Sequence, residues 1–184
     1  MSEELLVKHC SPTLAGMKTG NIFSCDFSDE KKMRECIRCW NRVLTKKGMR
    51  VVPIRYNEGR ALIYAYRPKK LSLDLKDDIA EKILRERGYS TERSERCIVH
   101  LIKRLCEYDE FPHEIGLFLG YPPEDVNGFI ENKAGSFKCV GCWKVYGDAD
   151  SAEKTFAKYK KCTDVYCRCY KEGRCSLERL TIAC

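Results

Sequence analysis

Cysteine is the residue type of this chain that points most directly to chemistry. The chain has 13 cysteines in 184 residues, and four of them form a dense group near its end with the spacing Cys-x4-Cys-x-Cys-x5-Cys. Four thiolates that converge close a tetrahedral zinc site or hold an iron–sulfur cluster. The candidate metal ligands of this group are Cys162, Cys167, Cys169 and Cys175.

The same four residues have a second interpretation as reduced thiols. Their spacing matches no standard metal motif, and on a continuous helix Cys167 points away from the face that Cys162 and Cys169 share. Reduced cysteines often pack as small apolar side chains. Both interpretations stay open from the sequence.

The sequence contains only partial motifs for acid–base catalysis and for phosphate binding. His113 and Glu114 are adjacent, but neighbouring side chains diverge on a helix, and no second histidine follows at the spacing of a zinc protease. The segment Gly16–Thr19 keeps only the end of a phosphate-binding loop pattern. A non-enzymatic protein is therefore favoured. The existence of a catalytic site stays open, because catalytic residues that are distant in sequence are not recognisable in one chain.

Residues 112–130 match a helix-turn-helix pattern, with apolar positions on both helices and Gly120 at the turn. The second helix opens with two acidic residues and has no basic residue before Lys133. Phosphates repel such a helix, which disfavours it as a DNA reader. We expect this helical corner to pack structurally or to dock a protein. Its predicted partner-binding residues are His113, Glu114, Tyr121 and Pro122.

A helix predicted between residues 29 and 47 carries a stripe of arginines. Arg34, Arg38 and Arg42 recur every four residues, which places their guanidinium groups on one face. Such a stripe suits contacts with phosphates or nucleic acid, and aromatic residues on a basic sheet can stack on bases. A solvated basic face explains the arginines equally well. The aromatic residues of the following hairpin that this hypothesis uses are Tyr56, Tyr64 and Tyr66.

Hydrophobic periodicity and turn residues predict the other elements. They indicate an α+β fold: a small mixed or antiparallel sheet that includes a hairpin, packed with helices, plus a helical middle segment containing the corner. We expect one compact domain over 1–184, in which 71–133 form a helical sub-lobe. The predicted elements are a short helix at 3–8 that Pro12 ends, a hairpin of 49–56 and 60–67, a single helix from 71 to 87, a helix around 97–105, a strand at 137–146 and a long helix at 148–170.

Composition is that of a globular protein, with 43% hydrophobic and 33% charged residues. The net charge of +7 is unevenly distributed along the chain. Residues 28–70 include 13 basic and 4 acidic residues, whereas residues 71–132 include 8 basic and 14 acidic residues. The start is acidic and has only three consecutive apolar residues, unlike a signal peptide, and no apolar run approaches the roughly 18 residues that span a bilayer. We expect a cytoplasmic protein without a membrane span, where reduced thiols persist.

Six strings of residues resemble a family of small uncharacterised proteins of anaerobic bacteria, described as a domain of unknown function. The resemblance covers nearly the whole chain and implies no activity, although it implies a link to iron or redox metabolism. Cys10 and Cys162 lie inside the strings, and Cys25 and Cys139 lie beside them, which adds Cys10, Cys25 and Cys139 to the candidate metal ligands. The strings are His9–Phe23, Arg60–Pro68, Phe111–Pro122, Trp143–Gly147, Lys158–Thr163 and Leu177–Ala183.

Three functional hypotheses follow from these features. The leading one is a cytoplasmic, non-enzymatic binding or adaptor protein that recognises a protein partner through the helical corner and the nearby segment 9–19. The second is a zinc or iron–sulfur protein that uses the cysteines. The third is a nucleic-acid-binding protein that uses the basic helix.

Overall fold

The structure is a computed structural model that describes residues 2–107 and 111–183. Within these ranges the chain is mixed α+β, with nine α-helices, a three-stranded antiparallel sheet and a two-stranded antiparallel sheet. The predicted fold class is therefore confirmed. None of the helices in the described ranges is long and apolar enough to cross a membrane.

The residues form two compact units, Met1–Lys69 with Tyr159–Cys184, and Lys70–Lys158. The expectation of a single domain with a sub-lobe at 71–133 stays a prediction. The first unit contains α1 (Glu3–Leu14), β1 (Gly20–Asp26), α2 (Glu30–Leu44), a 3₁₀ turn (Thr45–Lys47), β2 (Arg50–Asn57), β3 (Arg60–Tyr66) and α9 (Leu177–Leu180). The second contains most of α3 (Pro68–Asp74) and all of α4 (Asp78–Glu86), α5 (Ser94–Glu107), α6 (Ile115–Phe118), α7 (Pro123–Glu131), β4 (Cys139–Val140) and β5 (Lys144–Val145). The long helix α8 (Ala149–Lys171) begins in the second unit and ends in the first.

The sheet of the first unit has the strand order β1-β3-β2. Glu58 and Gly59 form the turn between β2 and β3 with φ of 37° and 78°, the left-handed conformation that a two-residue hairpin turn requires. Alternate residues of β1 and β3, including Phe23 and Ile63, are buried in the core of this unit. Helix α2 adds Trp40 to that core, and its predicted amphipathic pattern is confirmed by four buried residues spaced three or four apart. The hairpin is confirmed as well.

Arg67 joins four segments of the first unit although its residue is only 1% exposed. Its Nε donates to the Thr13 carbonyl at 2.6 Å, and one terminal nitrogen donates to the carbonyls of Leu14 at 2.6 Å and Ile182 at 2.9 Å. The other terminal nitrogen donates to the Lys47 carbonyl at 3.3 Å. The guanidinium group thus satisfies carbonyls at the C-terminal end of α1, where its positive charge also interacts favourably with the partial negative charge of the helix dipole.

Three predicted boundaries are wrong, and each has a physical reason in the structure. Helix α1 continues through Pro12, because the buried stripe of Leu6, Cys10 and Leu14 continues past the position where the proline removes one backbone donor. The single helix predicted from 71 to 87 is two helices, because the Asp77 side chain caps the N-terminus of α4 by accepting from two backbone N–H groups. The strand predicted at 137–146 is the short hairpin β4–β5.

Glycine at position 141 is required for the way this hairpin packs. A Cβ atom there would overlap the ring of Phe156, so that only glycine lets the turn of the β4–β5 hairpin approach α8 this closely. The sequence pattern in this region is apolar enough for one strand, but the close packing of a turn against an aromatic ring is a tertiary constraint. The long helix that supplies Phe156 was predicted correctly at 148–170.

Candidate binding site

The helical corner of the second unit packs against the β4–β5 hairpin. Gly116 in α6 lies so close to α7 that an added Cβ would be 2.8 Å from Val126 Cγ2 and 3.1 Å from Tyr121 Cδ2. Gly120 has φ of 72°, which turns the chain between the two helices. Gly120 thus takes the turn position that the helix-turn-helix pattern predicts, and Gly116 is the small residue where the two helices cross.

Asp125 ties α7 to the hairpin through three hydrogen bonds. Its Oδ2 accepts from the indole Nε1 of Trp143 at 2.6 Å, and its Oδ1 accepts from the backbone N–H groups of Tyr146 at 2.7 Å and Gly147 at 2.8 Å. The residue is buried. Three donors compensate its charge without a cation, since hydrogen bonds to an ionised acceptor are roughly twice as strong as neutral ones.

The indole of Trp143 is held on three sides. Its ring stacks on Tyr121 with a centroid separation of 4.9 Å and meets Phe156 edge-on at 4.5 Å, while its N–H is fixed by Asp125. Offset and edge-to-face contacts of this kind add about 0.5–1.5 kcal/mol each beyond simple burial. The indole is therefore a rigid wall.

A cavity of about 370 Å³ opens beside this wall. Most of its lining is apolar or aromatic, and its polar members are His113, Asp125, Cys142 and Lys144. Its size falls within the range of about 300–1,000 Å³ that is typical of ligand pockets, and a mainly apolar lining with a few polar groups is typical of them too. The aromatic residues that line it are Phe111, Tyr121, Phe129 and Trp143.

Lys144 brings a fixed positive charge to this cavity. Its Nζ donates to the Ala134 carbonyl at 2.6 Å and lies 4.7 Å from the ring centroid of Phe137 and 5.7 Å from that of Phe129. Cation–π contacts at such distances contribute about 0.5–1 kcal/mol at exposed positions. In the described ranges this ammonium group has no carboxylate within ion-pair distance.

Apolar side chains remain exposed around the opening. Phe111 and Val140 line the cavity and are 44% and 63% exposed, and Phe137, beneath Lys144, is 41% exposed. Single exposed apolar residues are ordinary on a protein surface, whereas several beside one pocket are typical of a binding site.

The four predicted partner-binding residues take different places. His113 is exposed, lines the cavity and lies edge-on to Phe129 at 5.0 Å. Tyr121 lines the cavity as the stacking partner of Trp143. Pro122 lies at the N-terminus of α7, where its carbonyl accepts from the backbone N–H groups of Asp125 and Val126. Two of the four side chains therefore form part of the cavity.

Glu114 was expected to bind a partner at the surface, but its side chain is only 2% exposed. Its Oε1 accepts from the Tyr89 hydroxyl at 2.9 Å and lies 2.7 Å from Arg104 Nε, and its Oε2 lies 3.5 Å from Arg87 Nε. Burial, together with the neighbouring Glu114, raises the pKa of Tyr89 well above its usual range. Glu114 thus stabilises the interior of the second unit and is not available to a partner.

The arginine stripe of α2 is solvent-exposed, as its spacing indicates. Arg34 forms an ion pair with Glu30 at 2.7 Å and lies over the Tyr56 ring at 4.9 Å, whereas Arg38 and Arg42 have no ion pair within the described residues. Two of the three tyrosines invoked for base stacking do not suit that role, because Tyr64 and Tyr66 are buried and stack on each other at 4.7 Å. Tyr56 is half-buried.

The cysteines do not converge. Within residues 2–107 and 111–183, no three His, Cys, Asp or Glu side chains lie where they can hold a metal ion. Cys10 and Cys25 are buried in the core of the first unit, which also contacts Cys167, Cys169 and Cys175, whereas Cys139 belongs to the second unit. Burial raises the pKa of Cys10, Cys25, Cys162 and Cys167, which favours the thiol over the thiolate that a metal or an electrophile requires. The burial of these described cysteines therefore agrees with packing, and the metal interpretation stays a hypothesis.

The sequence reasoning missed five residues that shape this site: Phe111, Asp125, Phe129, Trp143 and Lys144. Asp125 and Phe129 were read only as parts of the second helix of the corner. A signal was present for the others, because Phe111 and the Trp143–Gly147 segment lie in strings that carry the family resemblance. Nothing in the sequence says that those strings meet, since 32 positions separate Phe111 from Trp143.

No curated protein and no solved structure matches this chain. A family profile described as a protein of unknown function, DUF3793, matches residues 6–181. That match covers nearly all of the 184 residues, so the resemblance to a domain of unknown function is confirmed. The chain belongs to the DUF3793 family of proteins of unknown function.

Proposed function

We propose that this protein is a non-enzymatic binding or adaptor protein whose second unit docks a protein partner by enclosing one of the partner's aromatic side chains. The observation that carries the proposal is the 370 Å³ cavity with its rigid Trp143 wall. Protein interfaces draw most of their binding energy from a few aromatic or arginine anchors that enter well-packed pockets. The exposed Phe111, Phe137 and Val140 supply apolar surface around such an anchor.

Two features favour a protein over a small ligand as the occupant. Phe137 does not line the cavity, and Phe111 and Val140 stay largely exposed although they line it, so a ligand that only fills the cavity leaves much of their apolar surface in water. His113 is exposed at the same opening, which gives the surface a polar group. An apolar pocket with a partly polar rim is the usual anatomy of a protein interface.

The cytoplasm is the proposed compartment. The 12 cysteines in the described residues are present as thiols rather than disulfides, which supports a reducing environment. A link to iron or redox metabolism remains a proposal that rests on the family resemblance alone.

The test uses nuclear magnetic resonance of the full chain with two acetylated and amidated tripeptides. One has phenylalanine between two glutamines, and the other has alanine in the central position. The chain has two tryptophans, so its spectrum has two indole N–H signals. Trp143 lies at the cavity, whereas Trp40 is buried in the core of the first unit and serves as an internal reference. We expect the phenylalanine peptide to shift the Trp143 signal saturably and leave the Trp40 signal unchanged.

Matched variants locate the binding site. Tyr121→Ala removes a cavity wall and Phe111→Ser removes an apolar rim residue, and both are expected to weaken peptide binding at least threefold. Leu73→Ser is the control, because Leu73 is 68% exposed in the same unit but does not line the cavity. If neither peptide moves the Trp143 signal, or if Leu73→Ser weakens binding as much as Phe111→Ser, the proposal is wrong.

A further inference from the structure

We infer that the docking cavity selects an acidic partner segment, in which the aromatic anchor is flanked by a carboxylate that pairs with Lys144. This inference rests on the proposed function and adds the chemistry of the partner. Two charged residues of the cavity wall, Asp125 and Lys144, differ in how available their charges are to a ligand.

The negative charge on the wall is already compensated. Both Asp125 oxygens accept hydrogen bonds from the protein, and the residue is 3% exposed. An approaching cation gains little from a carboxylate whose lone pairs are directed at three N–H groups, and it has to displace them to make a direct contact. Asp125 therefore holds the wall in place and is a poor site for a ligand cation.

The positive charge on the wall is available. Of the three N–H donors of the Lys144 ammonium group, one is directed at the Ala134 carbonyl. The rings of Phe137 and Phe129 attract the cation and position it without using its donors for conventional hydrogen bonds. The side chain is half-buried, so its conformational entropy is already reduced before a partner binds.

A carboxylate beside the anchor would complete this arrangement. It would accept from the remaining N–H groups of Lys144 while the aromatic ring contacts Trp143. A cationic segment at the same place would face the Lys144 charge, and like charges in an interface disfavour the wrong partner. The surrounding surface adds to the preference, because Lys133 is exposed in the segment that connects α7 to β4.

The acidic residues that the structure describes near the corner do not reverse this preference. Glu114 is buried and paired with Arg104 and Arg87. Glu131 accepts from the side chain of Asn127 at 2.8 Å, and neither it nor Glu124 lines the cavity. Among the described residues that line the cavity, Lys144 is the one lysine, and no arginine lines it.

The test compares three tripeptides that differ only in flanking charge, with a central phenylalanine between two glutamates, two glutamines or two lysines. Affinity is read from the Trp143 indole N–H signal at pH 7.5 and low salt. We expect the glutamate peptide to bind at least fivefold more tightly than the glutamine peptide, and the lysine peptide to bind most weakly. A partly exposed charge-assisted contact of about 1 kcal/mol corresponds to that factor.

Variants assign the preference to one residue. Lys144→Met keeps an apolar stem and removes the charge, so it is expected to abolish the preference for the glutamate peptide while binding of the glutamine peptide persists. Lys144→Arg is expected to keep the preference. Lys138→Met is the matched control, because Lys138 is an exposed lysine of the same hairpin region whose Nζ donates to the Gly147 carbonyl at 2.6 Å.

The outcomes separate this inference from the function on which it rests. Equal affinity for all three peptides, or a preference that survives in Lys144→Met, overturns the acidic-segment inference and leaves the docking function standing. If none of the phenylalanine peptides binds, both are overturned. A preference that Lys144→Met abolishes and 0.5 M salt weakens supports the inference, because salt at that concentration screens charges within a few ångströms.

Discussion

Asp125→Asn is the most informative single change, because it leaves the shape of the side chain intact and removes one acceptor. The asparagine carbonyl can still accept from the N–H groups of Tyr146 and Gly147 in the place of Oδ1. Its NH₂ group then faces the indole N–H of Trp143, so two donors meet where a 2.6 Å hydrogen bond existed. Asp125→Asn thus breaks the bond between α7 and Trp143 and leaves the two backbone bonds weakened.

The expected cost follows from these three bonds. A hydrogen bond to a charged group contributes about 1.5–3 kcal/mol and a neutral one about 0.5–1.5 kcal/mol. Two bonds that weaken by about 1 kcal/mol each, plus the loss of the third, give a decrease of about 3–5 kcal/mol in the free energy of unfolding. For a protein of this size, each kcal/mol lowers Tm by about 2–4 °C, so we expect a decrease of about 6–20 °C.

Thermal unfolding followed by circular dichroism measures this decrease, and the Trp143 indole N–H signal reports the local loss directly. Glu124→Gln is the control, because it removes the same charge from an exposed neighbour at the start of α7, where a helix-dipole contribution of about 0.3–1 kcal/mol is at stake. Equal destabilisation by Asp125→Asn and Glu124→Gln would refute the reasoning, since the effect would then come from charge alone and not from the three bonds.

Three further predictions test other parts of the structure. Arg67→Met leaves four carbonyls without their shared donor and is expected to cost about 3–5 kcal/mol in guanidinium unfolding, whereas Arg60→Met, which removes an exposed ion pair with Asp26, costs at most about 1 kcal/mol. Gly116→Ala overpacks the helix crossing and is expected to lower the free energy of unfolding by about 1–3 kcal/mol. Adding Val126→Ala to the same chain should relieve part of that cost, and strictly additive effects of the two substitutions would contradict the contact. Burial and the nearby Arg104 and Lys103 lower the pKa of His100, so the unfolded chain binds a proton there before the folded chain does as pH falls below 6.5. Denaturant unfolding at a series of pH values should therefore show a free energy of unfolding that decreases from pH 6.5 downward. If His100→Gln shows the same decrease, His100 is not its source.

Local patterns were sufficient for several elements. Helix α2 was predictable because its apolar residues recur at helical spacing and Asp29 caps its start, where the side chain accepts from Lys32 N–H. The β2–β3 hairpin was predictable because turn residues separate two strand-forming segments. Periodicity alone misled at Asp77, where a cap interrupts an otherwise regular apolar pattern.

The sequence by itself determined the family and the mixed α+β class, and it singled out His113 and Tyr121 as candidate partner-binding residues. Each of these depends on residues that are close in the chain or on strings that can be compared directly. Only the tertiary structure decided that Glu114 faces inward to Arg104 and that Trp143 faces the corner across the hairpin. The reason is that the periodicity of a segment shows which of its faces is buried but not which distant segment that face contacts, and both pairings depend on such contacts.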